Sequence, residues 1–446
     1  MAKQIKNKKP ATKANKAEEK VSRYLIAFPV IAFLIKLIVI FNVHAGGWLG
    51  ADGENYLKGV DGLLNQGFFS TEEKLTYWPA GYPLLIWPFA AISITKFLYM
   101  LSIVQSLFFA YSTYFLTKTI STTKVAYLAF TASFLISFNP TLSLGSLTVG
   151  YETPVASCLM MALAIAISCM TEDSATKFGI KEISYIGLWF GLASFLQPRF
   201  ILVAAIFIIT CALYTVGRNK QIKLAAIGVI ALMLLPSALI FRNAEAVGKA
   251  TISTNLGVTM NLGVGDETLG GYNRIGPAIK CEPKSLGATV TDNELVICIL
   301  KWYVTHPVKT IKLAFNKSLY FWSPWSGPVA EGTTARNPWL KISPVQNMQK
   351  TTTAVNLIQG GIGKAISYGW LLGQIALLVY GFLGLKKRGG LGKKIAILAA
   401  TPVVLAWLIT IGTIGDHRFR IPIMSLSLLL QVAGILTIRE KTTKAL

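Results

Sequence analysis

The sequence predicts an all-α, polytopic membrane protein with about ten transmembrane helices. Of its 446 residues, 53% are hydrophobic and only 14% are charged, and the mean hydropathy is +0.54. A typical soluble domain carries roughly 25% charged residues. Apolar runs of about twenty residues, the length that crosses a bilayer as a helix, recur along the chain. These observations exclude an ordinary soluble domain.

The charge pattern predicts the orientation of the spans. The chain has 43 Lys and Arg against 20 Asp and Glu, an excess that nucleic-acid-binding proteins also show. Here the basic residues cluster in short connections between apolar runs, which is the positive-inside pattern and not a nucleic-acid surface. We therefore expect both termini in the cytoplasm, on the same side as the basic clusters: Lys118 and Lys124, Lys177 and Lys181, Arg218 to Lys223, Lys386 to Lys394, and Arg439 to Lys444.

Four regions follow from this pattern. Residues 1–23 form a basic cytoplasmic tail that we expect to be disordered, because it is too polar to fold alone. Residues 24–242 form a transmembrane module with a first outer loop at 44–96, residues 243–357 form an outer segment, and residues 358–446 return to the membrane. The predicted spans are 24–43, 97–117, 125–139, 151–170, 182–197, 199–216, 223–242, 358–384, 394–414 and 421–438.

The outer segment contains two predicted juxtamembrane helices within a mixed loop region. Thr291 and Glu294 form a capping box that opens a helix running to Thr305, and Pro307 opens a second helix. The second helix carries an apolar stripe that suits a helix at the membrane surface, although packing against the rest of the loop explains the stripe equally well. Its members are Val308, Ile311, Phe315, Leu319 and Trp322.

Two cysteines of the outer segment, Cys281 and Cys298, are able to pair in an oxidising compartment. Their spacing alone leaves a disulfide and two free thiols open. The other cysteines lie in predicted spans, where a small buried side chain is the usual explanation.

The unusual polar residues gather on the outer side in this topology. The first outer loop holds the carboxylates Asp52, Glu54, Asp61, Glu72 and Glu73 in a chain that otherwise has few acids. A break at Gln197-Pro198-Arg199 predicts a tight outer turn, since an arginine in mid-bilayer is costly. A solvated loop between two helices is the plain explanation of the carboxylates. The rest of the chain favours a site.

Several motifs together resemble the GT-C superfamily of membrane glycosyltransferases, most closely the bacterial branch related to protein O-mannosyltransferases and lipid A aminoarabinose transferases. They occur in family order over about 400 residues: GADGENYL with YWPAGYPLL, YETP, LQPR, FRN followed by ISTNLGVTMNLGVGDETLGGY, KWYVTHP, and GDHRFRIPI. The resemblance implies a helical bundle with an outward-facing active site. It also implies transfer of a sugar from a polyprenyl-phosphate carrier to an acceptor hydroxyl on a glycolipid, glycan or protein.

The carboxylates have distinct expected roles. A lipid phosphate leaves without a general acid, so the reaction needs a base on the acceptor and cations around the phosphate. Asp52 is the family-equivalent base of an inverting transfer, and Glu54 is the second choice. Glu152, which opens a span, is either a second active-site carboxylate or a charge that stabilises a helix N-terminus. Two carboxylates leave the participation of a divalent cation open, and the sequence indicates no other cofactor.

The phosphate has more candidate ligands than it needs. Arginine suits this role because its planar guanidinium binds two phosphate oxygens at once. For Arg418 and Arg420, an ion pair with the neighbouring Asp416 is the structural alternative, and for Lys36 it is snorkelling to the surface. The residues that we expect to bind substrate are Tyr56, Tyr82, Arg199, Arg242, Asn255, Asn261, His417, Arg418 and Arg420.

Two other functions stay open at this point. A polymerase or ligase of surface polysaccharide uses similar chemistry with a lipid-diphosphate donor and a longer glycan. A flippase or transporter of lipid-linked sugars usually shows internal repeats and broken helices at mid-depth, and neither is evident here. The sequence does not identify the sugar, the carrier length, the acceptor or the oligomeric state.

Overall fold

The computed structural model describes residues 13–42, 48–49, 52–170, 178–266, 268–271, 279–281, 290–322 and 361–445. Over these ranges the chain is a helical bundle with a short parallel strand pair. Three 3₁₀ turns, Ala126–Leu128, Gly145–Leu147 and His417–Ile423, connect its helices. The elements in chain order are α1 Lys13–Asn42, β1 Trp48–Leu49, α2 Gly53–Gln66, α3 Lys74–Tyr77, α4 Gly81–Ile92, α5 Phe97–Ser121, α6 Ala129–Phe138, α7 Pro140–Leu144, β2 Thr148–Val149, α8 Glu152–Ser168, α9 Ile180–Leu196, α10 Phe200–Leu213, α11 Arg218–Val247, α12 Leu256–Leu262, α13 Asp292–Thr305, α14 Pro307–Trp322, α15 Gly361–Lys387, α16 Gly390–Gly412 and α17 Met424–Ala445.

The all-α polytopic class is confirmed, but the count of ten spans is not. A helix lies at each predicted span, and among the described residues six helices are long and apolar enough to cross a membrane. Ala126–Phe138 and Pro140–Leu147 meet at a bend of 54° and make a seventh candidate if the pair counts as one span. The other three, α8, α9 and α10, have only 17, 17 and 14 residues. At 1.5 Å per residue they reach about 21–26 Å, short of a hydrocarbon core of about 30 Å.

The basic tail is shorter than predicted. Helix α1 begins at Lys13, well before the apolar run, so residues 13–23 are helical where disorder was expected. Ala, Glu and Lys have high helix propensity, and a helix nucleated by the adjacent span extends through them at little cost. Residues 1–12 lie outside the described part of the chain.

Helix α8 is the centre of the bundle. Fifteen of its seventeen residues are buried, and it packs against α5, α9 and the His417–Ile423 turn. A helix enclosed by protein in this way does not need to match the bilayer thickness, which explains its shortness. Because α8 begins at Glu152, that carboxylate enters the bundle at the end of its central helix.

The described parts of the outer segment confirm several expectations. Cys281 and Cys298 form a disulfide, and the capping box joins Thr291 to Glu294 at the start of α13. The stripe of α14 divides in two. Val308, Ile311 and Phe315 are exposed, whereas Leu319 and Trp322 are buried against the bundle. The exposed residues at the start of α14 therefore agree with a helix at the membrane surface, and the buried residues at its end agree with packing against the bundle. The predictions for 323–357 fall outside the described residues.

Lys317 joins the outer segment to the bundle. Its side chain is fully buried, and its Nζ donates to Tyr303 Oη, to the Ile411 carbonyl and to the Thr413 carbonyl at 2.9, 3.1 and 2.6 Å. Burial lowers the pKa of Lys317 to about 7. Three oxygen acceptors match the three N–H groups of an ammonium and compensate for that burial. The contact fixes α14 against the end of α16, next to the turn that carries Arg418.

Arg242 holds the first outer loop in place, while its expected contact with substrate stays a prediction. Its guanidinium is fully buried and donates to the carbonyl oxygens of Phe68, Ser70 and Leu75, as well as to Asn243 Oδ1 at 2.7 Å. Each of its three nitrogens thus donates to a protein oxygen, which gives the buried guanidinium a structural role. Arg242 therefore fixes residues 68–75 against α11.

We predict that Arg242→Met destabilises the protein and that Arg218→Met does not. Arg242 is buried near one end of α11, and Arg218 is exposed at the other end. The first change leaves several buried acceptors unpaired at roughly 1–3 kcal/mol each. Thermal unfolding of the purified protein in detergent should show a melting temperature several degrees lower for Arg242→Met alone. Equal melting temperatures for both variants would contradict the structural role.

Candidate active site

The strand pair brings two carboxylates together. Strands β1 and β2 are parallel, with Trp48 opposite Thr148 and Leu49 opposite Val149. Asp52 and Glu152 each follow the last paired residue by three positions. Each stands at the N-terminal end of a helix, Asp52 before α2 and Glu152 as the first residue of α8. Residues a hundred positions apart therefore enter the site side by side, where two helix dipoles favour negative charge.

Asp52 does not cap its own helix. An aspartate at this position usually accepts a hydrogen bond from the first turn, but the Asp52 side chain makes no such bond. Its Oδ2 lies 2.5 Å from Arg418 Nη1 instead. Within the described residues Oδ1 has no hydrogen-bond partner, and 16% of the side chain remains accessible. Asp52 thus keeps one carboxylate oxygen free at the open side of the site.

Arg418 joins the two carboxylates. Its Nε donates to Glu152 Oε1, its Nη1 contacts Asp52, and the plane of its guanidinium lies over the Tyr151 ring at 5.0 Å. The side chain is 5% exposed. The expected partner, Asp416, accepts from the Arg418 main-chain N–H at 2.9 Å and so shapes the turn. We call Asp52, Glu152 and Arg418 the bridged triad.

Arg199 lies beside the triad with donors to spare. It stands where the chain enters α10, and its guanidinium stacks on the Phe419 ring at 3.6 Å. Its Nε and Nη1 are buried and have no hydrogen-bond partner among the described residues. A buried guanidinium with open donors near a second arginine is suited to binding an anion.

Tyrosines line the triad. The Tyr56 and Tyr82 rings meet edge to face at 5.0 Å. Tyr82 Oη donates to Gln105 Oε1 at 3.2 Å and accepts from the Gly150 N–H at 2.8 Å. Tyr82 therefore positions the backbone just before Glu152. Burial, and then the charge of Asp52, raise the pKa of Tyr56 well above its usual range, so this hydroxyl stays protonated.

The backbone at Gly150 allows Glu152 to reach Arg418. A Cβ at Gly150 would lie 2.4 Å from Glu152 Oε2. Any larger residue would therefore have to displace the carboxylate. Glycine at 150 and the Tyr82 hydrogen bond together fix the approach of Glu152 to the triad.

The other predicted residues take different positions. Glu54 is exposed and makes no hydrogen bond or ion pair in the described structure. Arg420 Nη1 donates to Gln374 at 3.5 Å, with its guanidinium 5.8 Å from the Trp322 ring, on the side of α15 and α14. His417 is buried next to Asp416, with Nδ1 3.4 Å from Oδ1. The triad and Arg199 therefore form the centre of the site, and these residues lie around or outside it.

Asn255 and Asn261 belong to the outer segment near α12. Asn255 Oδ1 accepts from Ser253 Oγ at 3.4 Å, and Asn261 Oδ1 is buried without a partner among the described residues. Neither side chain makes a hydrogen bond to the triad in the described part of the chain. Their predicted contact with substrate stays a prediction.

Sequence reasoning missed the supporting residues. Gln105, Tyr151 and Phe419 each contact a predicted site residue, yet none was named as functional. Gln105 carried a usable signal, since it forms with Ser102 and Ser106 a polar stripe on an otherwise apolar span. Polar residues within a span usually face the bundle interior. Tyr151 and Phe419 gave no comparable signal beyond adjacency to a charged residue.

The two carboxylates of the site are paired with Arg418. Both carboxylates already hold the Arg418 guanidinium, which would repel a metal ion placed between them. In the described part of the chain no group of three or more His, Cys, Asp and Glu side chains is arranged to hold a metal. We therefore derive no step through a metal ion.

Comparison with known proteins gives distant structural likenesses. No protein-family model matches the chain, and no curated protein matches it. A structure of the archaeal oligosaccharyltransferase AglB from Archaeoglobus fulgidus, in complex with an inhibitory peptide and a dolichol-phosphate, is 14% identical, with a TM-score of 0.45 over 94% of this chain and 50% of that chain. An apo Archaeoglobus fulgidus oligosaccharyltransferase is 14% identical, with a TM-score of 0.46 over 94% and 51%. The chain thus spans about half the length of these structures, and its function has to be argued from the site.

We predict that Arg418→Met destabilises the protein more than removal of all three charges. The single change leaves a buried and a partly buried carboxylate without their counter-charge. Breaking a buried ion pair typically costs about 3–5 kcal/mol, whereas neutralising a whole buried cluster is often close to neutral. The melting temperature of Arg418→Met should fall by several degrees. The triple variant Asp52→Asn, Glu152→Gln, Arg418→Met should recover much of the loss. A triple variant less stable than Arg418→Met would show that the three side chains do not act as a unit.

Proposed function

We propose that the chain is an integral membrane glycosyltransferase that moves a sugar from a polyprenyl-phosphate carrier to an acceptor hydroxyl with inversion. The observation that carries the proposal is the bridged triad with Arg199 beside it. A carboxylate with an accessible oxygen stands next to an anion site in a bundle that crosses the membrane. These are the two groups that glycosyl transfer from a lipid phosphate requires.

Asp52 is the base in this proposal. Its Oδ2 is held by Arg418, which orients the carboxylate, and its Oδ1 is free to accept a proton. The acceptor oxygen forms a bond to the anomeric carbon on the face opposite the phosphate. The bond from that carbon to the phosphate oxygen breaks, and the acceptor proton passes to Oδ1. A single carboxylate suffices because inversion involves no covalent intermediate.

Arg199 receives the leaving phosphate. Its open Nε and Nη1 donors give a lipid phosphate the paired hydrogen bonds that guanidinium groups make with phosphate oxygens. The short helices α9 and α10 support this location. Because both are shorter than a full span, the arginine between them lies deeper than the end of a full-length helix would. A phosphate at the bilayer boundary is then within reach while its isoprenoid chain stays in lipid.

The site faces outward, and both termini face the cytoplasm, in the same proposal. The basic clusters that follow α5, α10 and α15 all lie at the opposite ends of their helices from the triad. Positive charge collects on the cytoplasmic side of membrane proteins. The carrier sugar is therefore taken from the outer leaflet of the cell membrane.

The decisive experiment uses the purified protein and labelled polyprenyl-phosphate sugars, tested as a panel of hexoses, pentoses and aminopentoses. We predict that Asp52→Asn lowers transfer by at least about a hundredfold, because the amide keeps the shape and loses the basicity. Asp61→Asn on the exposed face of the same helix is the matched control and should stay near wild type. If Asp52→Asn stays active while Glu54→Gln does not, the base is Glu54. Movement of the intact lipid-linked sugar without bond cleavage would instead make the protein a transporter. Joining of glycan chains would make it a polymerase.

A second prediction separates phosphate binding from folding. Arg199→Gln should raise KM for the lipid donor about tenfold or more, since a hydrogen bond to a charged group contributes roughly 1.5–3 kcal/mol. Its melting temperature should stay unchanged or rise, because none of the described protein acceptors loses a hydrogen bond. Arg218→Gln, which removes an exposed arginine, is the control for charge alone. Wild-type KM in Arg199→Gln would remove Arg199 from the donor site.

A further inference from the structure

A cavity of about 360 Å³ opens at the end of the bundle away from the triad. Its lining consists of Tyr127, Leu436, Arg439, Glu440 and Thr443. Arg439 follows Arg418 by 21 residues, most of them in α17, so about 30 Å of helix separates the two. That distance is the thickness of a hydrocarbon core. The cavity therefore lies at the other membrane boundary, and the proposed transfer reaction does not use it.

A salt bridge borders the cavity at Glu440. Arg388, just after α15, donates from Nη2 to Glu440 Oε1 and Oε2 at 2.6 and 2.7 Å. Its guanidinium also lies over the Tyr127 ring at 4.3 Å. The negative charge of Glu440 is thus already balanced. The basic character of the cavity then depends on the remaining arginine.

Two polar groups of the cavity lining have no partner in the described part of the chain. Tyr127 Oη is buried without a hydrogen bond, which is costly for a hydroxyl unless a bound molecule completes it. The exposed Arg439 side chain makes no hydrogen bond or ion pair among the described residues. A hydroxyl donor and a free guanidinium at one cavity form a site for an oxygen anion.

The order of residues along α17 indicates what kind of anion binds. Leu436 lies one turn closer to the bilayer than Arg439 and Glu440, and Thr443 lies one turn further out. Ile435 and Ile438 at the same end of the helix are exposed, as lipid-facing residues are. The order apolar, then charged, then polar along α17 matches the acyl, phosphate and headgroup levels of a phospholipid. A soluble anion would not need the apolar level.

We propose that this cavity binds the headgroup of an anionic phospholipid in the leaflet opposite the active site. Its volume is about ten times the roughly 30 Å³ that one water occupies, which is enough for a headgroup. Arg439 contacts the phosphodiester, and Tyr127 Oη donates to it. Lys386 and Lys387 at the end of α15 add to the basic surroundings. The lipid holds the ends of α15 and α17 together with the turn before α6.

The test measures the melting temperature of the full chain in phosphatidylcholine nanodiscs with and without phosphatidylglycerol. Phosphatidylglycerol should raise the melting temperature of the wild type by several degrees, because it binds the folded state. Arg439→Gln should lose at least half of that shift. Tyr127→Phe should also lose about half, while its melting temperature in phosphatidylcholine alone stays unchanged or rises, because the removed hydroxyl has no described protein partner.

The control is Arg218→Gln, an exposed arginine at the start of α11. It should keep the full phosphatidylglycerol shift. A full shift in Arg439→Gln, or an equal loss in Arg218→Gln, would overturn the site in favour of general surface charge. Inorganic phosphate added to phosphatidylcholine nanodiscs tests the other source of the same chemistry, and a shift as large as that of phosphatidylglycerol would overturn the assignment to a lipid.

Discussion

The site depends on one guanidinium shared by a buried carboxylate, Glu152, and a partly buried one, Asp52. Without Arg418, Asp52 and Glu152 would face each other in a poorly solvated bundle, where like charges repel strongly. Arg418 reaches them from the far end of the chain, across 366 and 266 residues. The central helix, the first loop and the turn before α17 must therefore all be in place before the two acids are tolerated.

The surrounding elements hold these three side chains by backbone contacts. Register between β1 and β2 sets the carboxylates side by side, and Tyr82 fixes Gly150 just before Glu152. On the opposite side, the Gly415 N–H donates a 2.8 Å hydrogen bond to the Gly270 carbonyl. Lys317 Nζ donates to the nearby Thr413 carbonyl. A Cβ at Gly415 would lie 2.8 Å from the Lys317 Cα, so this close approach needs glycine. Contacts from the outer segment thus hold the turn that carries Arg418 in position.

The sequence revealed the charged residues of the site but not how they are arranged. Asp52, Glu152 and Arg418 were readily selected as candidates because acids and arginines are conspicuous in a largely apolar sequence. Their mutual pairing could not be read, since the expected partner of Arg418 was the adjacent Asp416. The structural contacts of Arg242 were missed for a related reason: most of its acceptors are main-chain carbonyls, which every residue has and no sequence pattern marks. The count of ten spans is not confirmed, because helices enclosed by protein, such as α8, need not have the length that lipid imposes.

The charges of the site suit the proposed direction of transfer. Asp52 and Glu152 offset Arg199 and Arg418, so the four side chains have a formal sum of zero when the donor, a phosphate diester with one negative charge, arrives. Proton transfer to Asp52 changes that sum to +1 while the leaving phosphate gains its second negative charge. The second negative charge of the leaving phosphate thus forms next to a site with a net positive charge. Solvent screens this attraction little in such surroundings. The same carboxylate that accepts the proton therefore strengthens the site's hold on the leaving group at the moment it departs.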